Sequence, residues 1–491
     1  MIYQQVRKIV IKMFSIDIRS LAIFRIFLAL LLIINLIIRF TNLTAHYTDK
    51  GVLPLEAIKS FKPWYLSIFS LSDNHWFLVS LFFLGILFAI MMLIGYHSKI
   101  ATIVIWYFFF SIHIRNPYIL QGGDSFIQLL LFFCVFLPLG GDLSVDKYLS
   151  GKLQKEKSVF SVATIGILLQ APLMYLSTAI LKSRSEIWQD GTAIYYALNL
   201  DAYATAFGKY LLGFPHLIKI LSFAVPIFEF VGPFILLISA FSFSFRILMI
   251  FIFILLQLSF GLSLRLDLFP WQASVAMILY LPNGFWDKFA ITKLLKFNIK
   301  PKILIKKKSY NKVKNFKKIF RNIKLNYVIN MIVIFILFLS IFGNLLTTNL
   351  YNMPMGLYLV GWNLQLFERW SMFTNEKSQF DGWLVVPGTL NDGTTLNMLT
   401  KGNLSWDKPE LISSTFKDSY WKRYYYQFYY YNQKYRNYFA KYICYEWNRQ
   451  NTGEKRLKEL EIYFMNEKTL PNYQKPEIKK NSYGKYKCNE T

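Results

Sequence analysis

The stretch VFSVATIGILLQAPLMYLSTAILK, residues 159–182, decides the fold class of this 491-residue chain. Its first 23 residues contain no charged side chain. An α-helix needs about 20 such residues to cross a hydrocarbon layer that is roughly 30 Å thick. The stretch therefore predicts a membrane-spanning helix, and Lys182 lies where that helix meets one headgroup layer.

Comparable apolar runs fill most of the first 350 residues. The chain is 54% hydrophobic, and its apolar residues form blocks rather than alternating with polar ones. The third, fourth and eighth runs are short, so a count of eight with one re-entrant run stays open beside nine. We predict an all-α polytopic membrane bundle with eight or nine transmembrane helices in a lipid bilayer. The nine runs cover residues 21–38, 77–95, 100–114, 125–140, 159–181, 217–241, 247–264, 268–282 and 327–346.

Basic residues are concentrated between the last two apolar runs. Residues 283–325 hold fourteen Lys or Arg and one acid, Asp287. Such a loop stays on the cytoplasmic side of a membrane, where anionic lipids also attract it. The net charge of +27 is thereby explained without nucleic acid, which is not an expected partner. Nine crossings from a cytoplasmic N-terminus place everything after Thr347 outside.

The composition changes near residue 350 and divides the chain into two parts. Residues 1–349 form the predicted transmembrane domain, which includes the cytoplasmic basic loop 283–325. Residues 350–491 are predicted to form an extracytoplasmic α+β domain. Within it the sequence predicts a turn at 391–393, a helix over 420–450 and a strand over 460–465.

The chain has only three cysteines. Cys444 and Cys488 both fall in the predicted outer domain, where an oxidising compartment permits a disulfide between them. Cys134 lies inside an apolar run and is expected to pack there inertly. The five histidines are scattered without the spacing of a metal site, so no metal is expected.

Lys182 has two interpretations. In the first, its alkyl stem lies along lipid while its ammonium reaches water. In the second, burial in an apolar site lowers its pKa and produces a free amine that can accept a proton. Glu186, Trp188 and Asp190, all within eight residues, favour a functional site.

A polar turn, HIRNPYILQGGD at residues 113–124, joins the third and fourth apolar runs. Polar backbone at membrane depth is tolerated only where it is buried in protein or lines a cavity. The turn is therefore either a solvated loop or a pocket wall that faces Lys182. Its candidate residues are His113, Arg115, Asn116, Tyr118, Gln121 and Asp124.

Glu229 lies within the sixth apolar run, between Pro226 and Pro233. A carboxylate at mid-bilayer is costly and is by default a functional candidate with a partner. Alternatively, its protonated form donates to backbone carbonyls that the prolines leave free. Gln257 is a further polar residue, in the seventh run.

Five of these segments, in this order and spacing, resemble the vitamin K-dependent γ-glutamyl carboxylase-like family, the group with a horizontally transferred transmembrane (HTTM) domain. The likeness covers about residues 15–285. The predicted outer domain also looks like that of many bacterial members, through ERWSMF at 368–373 and DGW at 381–383. The five segments are SIDIRSLAIFR (15–25), HYTDKGVLP (46–54), the turn at 115–124, residues 175–191 around Lys182, and residues 257–270.

The resemblance implies a chemistry. In the animal carboxylase, a lysine that matches Lys182 is the free-amine base that deprotonates vitamin K hydroquinone, and glutamate is then carboxylated in a lyase reaction. The likeness thus implies a vitamin K hydroquinone or menaquinol cofactor. It implies His113 as a second catalytic residue, and quinol binding by Arg115, Asn116, Tyr118, Gln121, Asp124, Trp188, Glu229 and Gln257.

The sequence departs from the family at two positions. Where the animal enzyme has a histidine in the outer turn, this chain has His113 only nearby, and Gln257 replaces a histidine of a later helix. These departures argue against carboxylation of glutamate. They leave a quinol-dependent reaction at the outer face with Lys182 as base.

Two other functions remain open. The first is a non-catalytic membrane factor that acts on an exported peptide, either in its maturation, in its export or in immunity to it. Some bacterial relatives are associated with toxin-peptide maturation. The second is a transporter, because a carboxylate flanked by prolines resembles a broken helix. The discriminating observation is whether Lys182, His113 and Glu229 converge on one outward-opening cavity.

Overall fold

A computed structural model of the chain describes residues 2–59, 67–151, 156–288, 323–367, 370–374, 379–427, 433–471 and 474–488. Most of the predicted basic loop, residues 289–322, lies outside this set. So do Glu368 and Arg369 of the tail motif.

The first part of the chain is a helical bundle. Its only regular strands among the described residues are β1 (Ile16–Asp17) and β2 (Ser158–Val159), which pair antiparallel. The helices in chain order are α1 (Ile2–Phe14), α2 (Ile18–Phe40), α3 (Leu43–Tyr47), α4 (Leu55–Lys59), α5 (His75–Ile94), α6 (Ser98–Arg115), α7 (Gly122–Cys134), α8 (Val145–Ser150), α9 (Val162–Ser183), α10 (Glu186–Gln189), α11 (Ala193–Asn199), α12 (Ala206–Leu211), α13 (Pro215–Ile238), α14 (Phe243–Ser263), α15 (Phe269–Met277), α16 (Asn283–Lys288), α17 (Ile323–Thr347) and α18 (Met355–Asn363).

Six helices of the described residues are long and apolar enough to cross a bilayer: α2, α5, α9, α13, α14 and α17. The protein is therefore a multi-pass integral membrane protein. The predicted count of eight or nine spans is not confirmed. The three short apolar runs form helices α6, α7 and α15, which are not among these six. At about 1.5 Å per residue, α7 and α15 are only about 20 and 14 Å long. Helix α6 has 18 residues, but Lys99, His113 and Arg115 make it less apolar.

Polar contacts define the two ends of the bundle. At one end, called the Asp17 end, Arg19 pairs with both Asp17 and Asp287 at 2.7 Å. At the other, called the Lys182 end, the Arg184 guanidinium donates to the Thr348 carbonyl. Helices α9 and α17 run parallel between these ends.

Helix α9 begins at a capping box that the sequence supplies. The Ser161 hydroxyl accepts from the backbone N–H of Thr164 at 3.2 Å, and the Thr164 hydroxyl accepts from that of Ser161 at 2.9 Å. These two bonds satisfy N–H groups that have no partner within the helix. The helix continues through Pro172 and carries Lys182 to its last turn.

The second part of the chain, from β3 onward, contains a six-stranded antiparallel sheet. The long strand β7 pairs with β3 and β4 along one edge and with β8 along the other. This confirms the predicted C-terminal sheet domain, including the turn at 391–393 and the strand at 460–465. Its elements are β3 (Phe380–Val385), β4 (Pro387–Leu390), β5 (Thr395–Asn397), β6 (Gly402–Asn403), α19 (Ser419–Gln427), α20 (Gln433–Asn448), β7 (Leu457–Lys468) and β8 (Glu477–Lys487).

Helix α19 attaches the sheet domain to the bundle. Its aromatic side chains, among them Tyr420, Trp421 and Tyr424, are buried in a core that continues from the bundle. The Trp421 indole donates to the Asn42 side chain at 3.0 Å. The Arg39 guanidinium lies 4.2 Å from the centre of the Tyr420 ring. The sheet domain is therefore packed onto the Lys182 end through side chains of both parts.

Cys444 on α20 and Cys488, which follows β8, form a disulfide with a Cα–Cα distance of 5.4 Å. The bond closes a loop with a sequence separation of 44 residues. Cys134 is a free, buried cysteine in α7.

Candidate functional site

Lys182 and Glu229 form a buried ion pair between α9 and α13. The Nζ atom of Lys182 lies 2.8 Å from each oxygen of the Glu229 carboxylate. The two residues are only 5% and 2% exposed. The lysine therefore points into protein and does not reach water or headgroups.

Aromatic rings complete the surroundings of this lysine. The Nζ atom lies 4.5 Å from the centre of the Trp188 ring and 6.0 Å from that of Phe260. An ammonium group is stabilised both by such rings and by a carboxylate that contacts it with two oxygens. The Nζ atom of Lys182 is therefore enclosed between the Glu229 carboxylate and the Trp188 ring.

The prolines around Glu229 do not break its helix. Helix α13 runs continuously through Pro226 and Pro233, so the resemblance to a broken transporter helix is wrong. The alternative, in which a protonated Glu229 donates to backbone carbonyls that the prolines leave free, is not observed. Both carboxylate oxygens accept from Lys182 instead.

Gln257 bonds to Tyr175 rather than to Lys182 or Glu229. Its side-chain amide donates to the Tyr175 hydroxyl at 2.7 Å, and both residues are buried. Helices α9 and α14 are joined by this bond within the bundle. It is a structural contact between neighbouring spans.

The polar turn at 113–124 holds a neighbouring loop. The Arg115 guanidinium donates to the Leu53 carbonyl at 2.8 Å and lies 3.4 Å from the Asp49 carboxylate. The Asn116 amide donates to the His46 carbonyl at 3.2 Å. These bonds fix the loop that follows α3, and they explain why a conspicuous polar turn can be buried.

Two further residues of the turn face the bundle core. Asp124 accepts from Arg39 at 2.7 Å, and Asn35 donates to the same carboxylate at 3.3 Å. His113 is buried on α6 and its ring lies 5.9 Å from that of Phe109. The bonds of Asp124 go to the turn, α2 and α19, and not to Lys182 or Glu229.

A cavity of about 910 Å³ lies between the bundle and the sheet domain. Its walls come from the end of the polar turn, the start of α7, the connection before α15, the segment after α18, α19, and strands β3 and β7. Many of the lining side chains are aromatic. The aromatic lining residues are Tyr118, Tyr203, Phe269, Trp362, Phe367, Trp370, Phe373, Phe380, Tyr426 and Phe464.

Only part of the predicted site lines this cavity. Tyr118 and Gln121 line it, whereas Lys182 and Glu229 do not. Trp188 connects the two places, because its indole donates at 2.6 Å to the carbonyl of Phe373 in the cavity wall. The predicted quinol-binding residues therefore do not surround one chamber.

Lys422 on α19 is an amine that does line the cavity. It is buried; its Nζ donates to the Arg265 carbonyl at 2.9 Å and lies 3.7 Å from the Asp267 carboxylate. It also lies 4.4 Å from the centre of the Tyr203 ring. Burial is the main cause that lowers the pKa of Lys422 below its ordinary value, against the opposing effect of Asp267.

Asp381 on β3 is a buried carboxyl group in the same wall. It accepts from the backbone N–H of Ala202 at 3.1 Å, from that of Gly382 at 2.8 Å, and from the Tyr426 hydroxyl. Burial outweighs these bonds and raises the pKa of Asp381 to about 6. The group thus titrates near neutral pH beside the cavity.

Sequence reasoning did not identify Lys422 and Asp381 as site residues. Asp381 belongs to the DGW motif at 381–383, which the sequence shows and which could have pointed to this residue. Lys422 stands in a segment dense in Tyr, Lys and Arg, where a single lysine cannot be singled out. Within the described residues no group of three or more His, Cys, Asp or Glu could hold a metal ion.

Comparisons with known proteins add little. No family model matches the chain, and no solved structure matches it. A stretch of 135 residues is 24% identical to YitO, an uncharacterized protein of Bacillus subtilis (strain 168). The alignment covers 27% of this chain and 43% of that protein.

Proposed function

We propose that this protein is a membrane factor for the maturation or export of a peptide, and that it binds a segment of that peptide in the cavity beneath its sheet domain. The cavity is the observation that carries the proposal. Its volume of about 910 Å³ is within the range of sites that enclose a small ligand or several side chains.

The chemistry of the walls favours a peptide. Aromatic rings provide apolar surface, while Lys422 and Asp381 provide buried groups of both signs. Arg265 and Arg423 add cations at more exposed positions. A chain with apolar side chains and a polar backbone can use both kinds of surface.

The orientation of the chain supports a cavity that faces outside. Segment 289–322 carries twelve Lys or Arg and no acid. In the sequence it joins α16 to α17. The Trp286 indole of α16 donates to Ser20 near the Asp17 end at 2.8 Å, and α17 runs away from that end. The positive-inside rule then makes the Asp17 end cytoplasmic, and the sheet domain with its disulfide extracytoplasmic.

Photo-crosslinking in the native host tests this function. A benzoylphenylalanine at Asn466, in the cavity wall on β7, should capture one exported peptide of the host. The same group at Asn481, on the adjacent strand β8 outside the cavity lining, is the matched control. Asn466→Trp, which fills the cavity, should abolish accumulation of the mature peptide, whereas Asn481→Trp should not.

Two results would contradict the proposal. Equal capture from both positions would show contact without a site in the cavity. Normal maturation in cells with stably folded Asn466→Trp protein would show that the cavity is not used.

A quinol-dependent enzyme with Lys182 as base is the second candidate. The observation in its favour is that this lysine is enclosed beside Glu229 and Trp188, away from lipid headgroups. In that reaction Lys182 would take the proton of a quinol hydroxyl group, and the Glu229 carboxylate would stabilise the resulting ammonium group.

Substitution of Lys182 separates the two candidates. Lys182→Arg keeps a cation opposite Glu229, but a guanidinium is not deprotonated at physiological pH. Under the peptide-binding function, peptide maturation survives in Lys182→Arg. Under the enzymatic function, quinol turnover by the purified protein is lost in Lys182→Arg and in Lys182→Ala.

A further inference from the structure

The chain stays uncharged well beyond its last long span. Residues 327–367 contain no Asp, Glu, Lys, Arg or His. Helix α17 ends at Thr347, so about half of this stretch follows the span. It includes α18 and leads to the wall of the cavity.

Helix α18 has two apolar faces. On the inner face, Leu357 and Val360 pack against a cluster that includes Leu129 of α7 and Ile336 of α17. On the other face, Met355, Leu359 and Trp362 are 70%, 40% and 37% exposed. Their spacing of four and three residues puts them in one stripe along the helix.

Water is an unfavourable neighbour for this stripe. Helix α18 lies at the Lys182 end, just after a span whose own outward residues, such as Phe335 and Phe338, are exposed and apolar. A short helix with an apolar outer face at this position lies in the boundary between headgroups and acyl chains, and tryptophan is enriched there. The exposed stripe of α18 thus follows, along the chain, a span whose exposed residues are also apolar.

The stripe ends at the cavity. Trp362 belongs both to the exposed stripe and to the cavity lining, and Gln365 and Phe367 follow it along the wall. Phe367 fits between the two helices, in close contact with Gly343 of α17 and Gly361 of α18. The wall of the cavity next to α18 is therefore built from the same segment that meets the lipid.

We propose that α18 lies in the bilayer leaflet at the Lys182 end, and that the cavity receives its ligand sideways from this leaflet past Trp362. The ligand class, which rests on the proposed function, is then an amphipathic peptide segment that is already embedded in the membrane. A peptide that arrives dissolved in water is excluded by this route.

Lipid photolabelling tests the route without knowledge of the peptide. The full-length protein is placed in phosphatidylcholine nanodiscs that contain a phosphatidylcholine with a diazirine on its acyl chain. After irradiation, mass spectrometry should find adducts on Leu359 and Trp362, and also on the cavity residues Phe367 and Trp370. A water-soluble diazirine should instead label the β4–β5 turn around Thr394 and leave Leu359 unlabelled.

A variant sharpens the measurement. Trp362→Ala widens the proposed entrance and should raise the yield of lipid adducts inside the cavity severalfold. Trp271→Ala removes another exposed tryptophan, on α15 and outside the cavity lining, and should leave that yield unchanged.

Several results would overturn the inference. Labelling of Leu359 by the soluble reagent would place α18 in water. Lipid adducts on α18 with none inside the cavity, even in Trp362→Ala, would exclude the sideways route. Peptide capture at Asn466 without lipid adducts in the cavity would reject the route alone, and lipid adducts there without peptide capture would reject the proposed function alone.

Discussion

Glu229 places both of its carboxylate oxygens 2.8 Å from the Nζ atom of Lys182, and the two side chains lie almost entirely out of solvent. Removal of two charges from water is expensive, and their attraction offsets this cost only while both are present. The pair therefore makes each residue dependent on the other for its stability, whatever chemistry it supports.

Loss of one partner should be far more damaging than loss of both. Lys182→Met leaves a buried carboxylate without its cation and should reduce the free energy of unfolding by about 3–5 kcal/mol. The double variant Lys182→Met/Glu229→Leu should recover most of that loss, because packed apolar residues replace an ion pair well. Thermal unfolding in detergent measures both. A double variant that is as unstable as the single one would contradict this account.

Hydropathy predicted where the helices run but not how they pack. It marked Glu229 as a costly buried charge and left open whether Lys182 is buried or reaches water. Their pairing depends on the packing of α9 against α13, which a single sequence does not contain. The short runs were harder to interpret, because the length of an apolar run is not the length of its helix. Helix α15, for instance, ends at Met277 and continues only as a 3₁₀ turn.

The cavity was less predictable than the bundle. The polar turn was predicted to be either a solvated loop or a pocket wall that faces Lys182; Tyr118 and Gln121 line the cavity, but Lys182 does not. The opposite wall, with Asp381 and Lys422, comes from a domain that lies hundreds of residues later. Its placement depends on aromatic contacts between α19 and the bundle, and periodicity carries no information about those contacts.

The raised pKa of Asp381 predicts a dependence of stability on pH. Burial favours the protonated form in the folded protein, so its stabilising effect is complete below pH 3.8 and is lost as the pH rises to about 6. This difference corresponds to about 3 kcal/mol for a carboxyl group raised from 3.8 to about 6. Asp381→Asn, which does not titrate, should lack this loss.

Thermal unfolding followed by tryptophan fluorescence between pH 4 and 7 tests this effect. The difference between wild type and Asp381→Asn isolates one group from all others that titrate. Asp407, an exposed aspartate of the same domain, provides the control substitution Asp407→Asn. Parallel pH profiles for wild type and Asp381→Asn would show that folding does not raise the pKa of this carboxyl group.

The contact between Arg39 and Tyr420 should hold the sheet domain on the bundle. A cation over a buried aromatic ring contributes up to about 2 kcal/mol, so Tyr420→Leu should increase amide hydrogen exchange throughout α19. Tyr420→Phe keeps the ring and should exchange nearly as slowly as wild type. Tyr445→Leu removes a more exposed ring that lies 5.3 Å from Lys50 and should have little effect. If Tyr420→Leu and Tyr420→Phe both exchange faster than wild type and to the same extent, the hydroxyl group rather than the ring stabilises the contact.

Reduction of the Cys444–Cys488 bond should destabilise the sheet domain selectively. A loop with a separation of 44 residues corresponds to about 4 kcal/mol of unfolded-state entropy. Dithiothreitol should therefore lower the unfolding temperature of wild type but not that of Cys444→Ser/Cys488→Ser, which is already low. Cys134→Ala should respond to the reductant as wild type does. An unfolding temperature that is unaffected by reduction of the bond would show that the sheet is stable without it.

Two glycines of α18 should respond in opposite ways to the same substitution. A Cβ atom at Gly361 would lie 2.0 Å from the ring of Phe367, whereas one at Gly356 would meet nothing within 4 Å. Gly356→Ala should therefore stabilise the protein by about 0.5–1 kcal/mol, because alanine loses less backbone entropy in a helix. Gly361→Ala should destabilise it by about 1–3 kcal/mol, the usual cost of overpacking. Thermal unfolding in nanodiscs compares the two.

The steric clash expected in Gly361→Ala is with the ring of Phe367, and this ring can be replaced by a smaller side chain. In the double variant Gly361→Ala/Phe367→Leu, the smaller side chain leaves room for the new methyl group, so part of the lost stability should return. Because Phe367 also lines the cavity, Gly361→Ala alone should push that ring and change the lipid adducts found there, while Gly356→Ala should not. Equal effects of the two alanine substitutions would mean that α18 does not pack against Phe367, and the segment after α17 would then not form the cavity wall.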